Sequence, residues 1–222
     1  MKKDSNLSAD NYVAYPGPQK PQTPAPKGYK PFYISHYGRH GSRYLIGTKD
    51  YDSPYFTLAR ADSLGKLTPK GKETLRKLDL IRREANGRDG ELTLRGAQQH
   101  KGIAQRMYRN YPEVFAGKAN IEARSTLVIR CILSMENALQ QLLALNPQLQ
   151  IFHDASRHDL YYMNQEDKKL EAQKMTAEVK EVYNQFSKKH DVYERVMNSL
   201  FNDPEYWKQN LNGTEFNRML IK

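Results

Sequence analysis

The sequence predicts an α/β fold: an α/β layer followed by a helical region. Two observations carry this. Up to about residue 155, short apolar runs of strand type alternate with segments of helical period. From Glu166 onward the chain is charged, of helical period, and without strand signals.

Residues 1–30 are polar and rich in proline (Pro16, Pro18, Pro21, Pro24 and Pro26) and read as a disordered arm. Phe32 to Ser35 is the expected first strand, and residues 44–66 read as mixed and loop-like. Thr68-Pro69 starts a helix, with Thr68 as cap and proline in the first turn. Leu75, Leu78 and Ile81 mark its apolar face, and Asn86-Gly87 ends it. A second helix starts at Thr93, carries Ile103, Ala104, Met107, Tyr108 and Tyr111 on one stripe, and stops at Pro112. Ala119 to Ala123 reads as a strand, Leu127 to Leu145 as an amphipathic helix closed by Asn146-Pro147, and Gln150 to Asp154 as another short strand. Beyond Glu166, Leu170, Val179, Val182 and Phe186 form one stripe, and Val192, Val196 and Leu200 another. The expected domains are therefore an arm over 1–30, an α/β core over 31–155 and a helical cap over 156–222.

Among 222 residues, 38% are hydrophobic and 27% charged, which suits a soluble globular protein able to bury a substantial core. The net charge of +10 favours anionic partners. Nucleic acid is not expected, because basic residues are dispersed among acidic ones and no nucleic-acid motif appears. No membrane segment is expected, since no apolar run nears the length of a spanning helix. Cys131 is the single cysteine, so no internal disulfide forms. The first six residues have a basic start with no apolar segment behind it, unlike a signal peptide. No metal spacing is present among the histidines, and no cofactor is expected.

The most informative string is Arg39-His40-Gly41-Ser42-Arg43. Arginine presents a planar, permanently charged fork that matches phosphate oxygens two at a time. Histidine can attack phosphorus as a neutral imidazole near neutral pH. Glycine lets the backbone turn sharply and approach an anion. The combination has the chemistry of a nucleophile in a phosphate cradle. It falls just after the expected first strand, where ligands sit in open α/β sheets.

The string resembles the signature of the histidine phosphatase superfamily. Ser42 after the glycine, followed by Arg43, is the pattern of its histidine acid phosphatase branch, which includes phytases. The wider spelling, Ser35-His36-Tyr37-Gly38 before the motif and Tyr44 after it, is most similar to multiple inositol polyphosphate phosphatases. Two further blocks stand in the expected order. Leu92-Thr93-x-x-Gly96-x-x-Gln99 resembles the family's helix start, in which Thr93 and Gly96 have a structural role and His100 is a packing or surface residue. Arg124-Ser125-Thr126-Leu127-Val128-Ile129-Arg130 resembles a block whose second arginine, here Arg130, the family places on the phosphate.

The resemblance covers roughly residues 30 to 165 and implies two-step hydrolysis of a phosphate monoester. His40 is the implied nucleophile, Arg39, Arg43 and Arg130 hold the phosphate, no metal is needed, and a phosphorylated small molecule such as phytate is the implied substrate. A three-layer α/β/α core, present in part, with the start of an inserted helical domain, and a periplasmic or secreted location are implied as well. The family's general acid comes from a late His-Asp or His-Ala-Glu; His153-Asp154, His158-Asp159 and His190-Asp191 lie outside that context and are not assigned to it. The last residues, Phe216 to Lys222, read as the middle of a helix. The expectation is an N-terminal part that carries the nucleophile and arginines without the acid.

Overall fold

The computed structural model describes Val13, Gly17 and residues 22–163, 167–174 and 176–221. In chain order the elements are α1 (Thr48–Ser63), α2 (Pro69–Ala85), α3 (Leu94–Asn110), a 3-10 turn (Pro112–Phe115), β1 (Asn120–Ser125), α4 (Ile129–Leu145), β2 (Gln150–Ala155), α5 (Leu160–Met163), α6 (Lys168–Lys174), α7 (Ala177–His190), α8 (Tyr193–Leu200), α9 (Pro204–Asn210) and α10 (Gly213–Ile221). The chain is mostly helical, with a two-stranded parallel sheet, as fits a partial α/β fold. It divides into two compact units: residues 1–43 with 91–165, and residues 44–90 with 166–222. The expected arm falls largely outside the described residues; residues 22–30 hold neither helix nor strand.

In the first unit, β1 and β2 pair in parallel from Asn120↔Gln150 to Ser125↔Ala155. Parallel strands need a crossover, and α4 supplies it. Helices α3 and α4 pack together. On α3 the buried residues Gly96, His100 and Ala104 recur every fourth position. On α4, Ser134 and Leu142 lie in one such row, with Ala138 between them. Residues four apart lie on one helix face, and small side chains in these rows let the helices approach closely. Ala104, Phe115, Leu142 and Leu149 form the core, with Ile121 and Ile151 of the strands against it. Asn146 closes α4: its Nδ2 donates to the Phe115 and Gly117 carbonyls, and its Oδ1 accepts from the Gln148 amide.

The expected strand at Phe32 to Ser35 is not one. Phe32 and Tyr33 are 92% and 72% exposed, and only Ile34 packs against the core. A single inward residue does not fix a strand against a sheet.

The second unit is helical. Helices α1 and α2 pack on each other, α8 packs against α2 and α10, and α10 against α1. Residues 44–66, expected as loop, contain the sixteen-residue α1. Pro54 reads as a breaker, yet Pro54, Leu58 and Ala61 are buried at helical spacing. Their spacing of four and three was the available signal. The cap of α2 is as expected: the Thr68 hydroxyl accepts the Gly71 amide at 3.0 Å. That hydroxyl also donates to the Ser199 carbonyl at 2.6 Å, so one side chain starts α2 and ties it to the end of α8. Lys66 and Asp203 pair at 2.6 Å beside the Leu67–Phe201 bridge. Leu58, Ala61, Leu67, Met197, Leu200, Phe201, Trp207 and Phe216 make the core. Of the expected stripes, Leu75, Leu78, Val196 and Leu200 join it, whereas Ile81, Leu170, Val179, Val182, Phe186 and Val192 are exposed.

Phe201 is fully buried, with the Phe216 ring 6.0 Å away. Phe201→Ala is expected to destabilise this unit by about 3–5 kcal/mol, from lost burial and the cavity left behind. Urea unfolding followed by fluorescence of Trp207, the only tryptophan, measures it; a loss below about 1 kcal/mol would contradict this packing.

Candidate active site

All four residues singled out by the sequence belong to the first unit. Arg39 to Arg43 lie in the loop that leads out of that unit, and Arg130 lies in the first turn of α4. Helix α4 begins just beyond the carboxyl end of β1, where open α/β sheets bind ligands. Arg39 is exposed; His40, Arg43 and Arg130 are half-buried.

The loop is held by helices, not by a strand before it. Its backbone lies directly on the first turn of α3. A Cβ added to Gly41 would strike the Gly96 carbonyl, and one added to Gly96 would strike the Ser42 carbonyl. Neither glycine has positive φ, so the need is for space, not for unusual backbone. Thr93 caps α3 by accepting the Gly96 amide at 3.1 Å. The same hydroxyl donates to the Ser42 carbonyl at 2.9 Å, and the Thr93 amide bonds that carbonyl too. Gln99 Oε1 accepts from the Ser42 amide at 2.8 Å and from the Ser42 hydroxyl at 3.0 Å. Arg43 and Leu92 add one antiparallel bridge.

The block from Leu92 to Gln99 is thus structural in a specific sense: it is the seat of the motif loop. Gln99 was visible in the block, but its partner was not, because nothing local shows which backbone it serves. His100 packs, as the sequence suggests, and is 7% exposed. It also bonds the Arg39 backbone. Ser134 carried no sequence signal beyond standing four residues after Arg130; its hydroxyl accepts the Gly41 amide at 3.1 Å.

His40 Nδ1 lies 2.8 Å from the Gly41 carbonyl. A carbonyl only accepts, so Nδ1 carries the hydrogen, and in the neutral ring Nε2 keeps a lone pair. Burial lowers the His40 pKa from its ordinary value; the Gly41 carbonyl opposes this, and the charges of Arg130, Arg39 and Arg43 reinforce it. One imidazole therefore feels all three arginines. They favour its neutral form. His100 is also lowered, chiefly by burial, against its bond to the Arg39 backbone. Arg124 holds a strand end: its Nε is 3.5 Å from Asp159, and its Nη1 donates to the Ala123 carbonyl. Among the described residues, no three His, Cys, Asp or Glu side chains form a group that could hold a metal ion. No described helix is long and apolar enough to cross a membrane.

No family model and no curated protein matches the chain. Solved structures do. The Bifidobacterium longum multiple inositol polyphosphate phosphatase in complex with phosphate aligns with a TM-score of 0.59 and 19% identity, over 85% of this chain and 45% of that one. The chain shares the fold of part of that phosphatase. The complex of that phosphatase with inositol hexasulfate aligns with a TM-score of 0.52 and 20% identity, over 85% and 46%. Its apo form aligns over 61% of this chain and 29% of that one, at 28% identity and a TM-score of 0.48. The chain spans less than half the length of each of these structures. The resemblance to multiple inositol polyphosphate phosphatases read from the three motifs thus extends to the fold.

Two predictions follow from this geometry. Gly96→Ala should destabilise the first unit by about 1–3 kcal/mol, because the loop must lift off α3; chemical denaturation with a circular-dichroism readout tests it, and a neutral outcome contradicts the contact. Both histidine pKa values are lowered in the folded state, so below about pH 6.5 the unfolded chain binds more protons. Stability should be full above that pH, fall as pH drops through the folded values, and then level off. A thermal midpoint that rises on acidification from pH 7 to 5 would oppose this, as would an NMR titration of His40 centred above its ordinary value.

Proposed function

We propose that the chain has the chemistry of a phosphomonoester hydrolase of the histidine acid phosphatase type, acting through a phosphohistidine on inositol polyphosphates such as phytate. The observation that carries the reading is His40: its Nδ1 is committed to the Gly41 carbonyl and three arginine charges act on its ring. His40 Nε2 attacks phosphorus, the phosphorus–ester oxygen bond breaks, and the alcohol leaves with a proton from a general acid. Water then attacks the phosphohistidine, releasing inorganic phosphate and restoring the imidazole. Arg39, Arg43 and Arg130 hold the non-bridging oxygens and offset charge in the transition state. The partner is a small phosphate ester. The reading carries with it a three-layer α/β/α core and a periplasmic or secreted location. The fold likeness to a phosphatase supports it, as do the three ordered motifs.

One observation favours a second reading, a polyanion-binding chain without efficient turnover. The charges that act most strongly on His40 are those of three arginines. Two carboxylates of the same unit are engaged elsewhere: Glu136 pairs with His153 at 2.6 Å, and Asp159 with Arg124.

Leaving groups separate the two. With a proton donor in place, aryl and alkyl phosphates should turn over at similar rates. Without one, the alkyl ester should lag by about 100- to 10,000-fold, the usual contribution of such a donor. His40→Ala should abolish both activities and the phosphohistidine detected by mass spectrometry, while polyanion binding stays largely intact. Hydrolysis that survives His40→Ala rules out the first reading; phosphate binding without any phosphoenzyme in the unaltered chain selects the second.

A further inference from the structure

Ser134 stands one helical turn after Arg130 on α4 and is 3% exposed. Its hydroxyl is used twice. It donates to the Arg130 carbonyl at 2.7 Å and accepts the Gly41 amide at 3.1 Å. The first bond is the ordinary way a serine inside a helix satisfies itself against the carbonyl four residues back. Nothing local requires the second. It reaches across 93 positions of sequence to the peptide that joins His40 to Gly41. The next peptide carries the carbonyl that takes the His40 ring hydrogen and the amide held by Gln99. The two peptides flanking Gly41 are thus fixed separately: one by Gln99 on α3, the other by Ser134 on α4. Of these two anchors, Ser134 also grips the turn that carries Arg130.

We propose that Ser134 is a positioning residue that sets His40 against Arg130, one hydroxyl joining the backbone of the nucleophile loop to the turn that presents the arginine. The proposal rests on the reading of His40 and Arg130 as parts of one anion site. Its physical basis is the cost of leaving a buried amide without its acceptor. Gly41 is buried and already in backbone contact with Gly96. Without the hydroxyl, the loop must therefore shift to satisfy its amide, carrying His40 with it. Such a shift changes both the burial of the imidazole and its exposure to the charges of Arg130, Arg39 and Arg43; His100, beneath Arg39, faces the same loop.

The test uses the full chain, with inorganic phosphate as the probe. Ser134→Ala should weaken phosphate binding by about 5- to 30-fold, the scale of a lost buried hydrogen bond. It should also move the NMR titration midpoint of His40 back toward the ordinary histidine value. Ser134→Cys keeps the volume and a weak donor and acceptor, and should fall between. Leu149→Ala, a core truncation in the same unit, should lower stability but leave phosphate affinity and the His40 midpoint unchanged, which separates positioning from general loosening. In the unaltered chain the Gly41 amide should exchange slowly with solvent. Unchanged affinity and unchanged midpoint in folded Ser134→Ala would overturn the proposal, as would fast exchange at Gly41. If Ser134→Ala does not fold, Ser134→Cys carries the same two readouts, and Gly41 exchange needs no variant. If the unaltered chain does not bind phosphate but the His40 midpoint still follows Ser134, the anion-site reading fails and the positioning role stands. If phosphate binds and neither readout follows Ser134, the reverse holds.

Discussion

The contact on which the site depends is backbone against backbone: Gly41 resting on Gly96 at the first turn of α3. No side chain separates the loop from the helix. Because the space is too small for a Cβ on either partner, the loop cannot drift inward, and its amides and carbonyls face groups on two helices. Thr93, Gln99 and Ser134 are placed to meet them, and His100 bonds the Arg39 backbone. A loop on a protein surface is ordinarily mobile and solvated. This one is bonded at successive residues, as a strand would be, although no strand holds it. Preorganisation of this kind holds the loop in place without the cost of ordering it when a ligand arrives.

That rigidity has an electrostatic consequence. Three arginines act on one imidazole, and like charges held together destabilise the fold unless something offsets them. Keeping His40 neutral removes one of the four charges. Burial and the arginine field both act in that direction, and the neutral ring is the form with a lone pair to donate. The same arrangement that limits repulsion in the folded chain therefore leaves Nε2 with its lone pair. An anion in the cradle would offset the remaining charge.

Much of this was legible in the sequence, and the failures have identifiable causes. Thr68 and Thr93 were readable as caps because capping is local: a hydroxyl and an amide three residues on. Their second bonds, to Ser199 and Ser42, were not, because they join segments far apart in sequence. Helix α1 lies in a stretch read as mixed and loop-like, although Pro54, Leu58 and Ala61 stand at helical spacing and are buried. The strand expected at Phe32 to Ser35 was read from apolar content, but content without alternation does not show which side is inward. The stripe at Val179, Val182 and Phe186 has helical spacing and lies on α7, yet these side chains are exposed. Periodicity shows that a helix has an apolar face; it does not supply the surface to cover it. In the site, the charged residues could be named because their chemistry is distinctive. Ser134 could not, because a serine inside a helix usually satisfies itself and stops there.

This division also explains how such a fold can be shared at 19% identity. The facing surfaces of α3 and α4 need only small or apolar residues of suitable volume, a demand many sequences meet. The loop is different. Its seat requires two glycines for space, a hydroxyl that can both cap a helix and reach a carbonyl, and an amide oxygen that accepts twice. Each requirement is fixed by backbone geometry, so substitution there cannot be compensated by repacking a neighbour. The loop's seat therefore tolerates fewer substitutions than the helix faces that only fill volume. The motif strings are informative for a physical reason: they mark where one stretch of backbone must fit against another, beside the groups that would meet an anion.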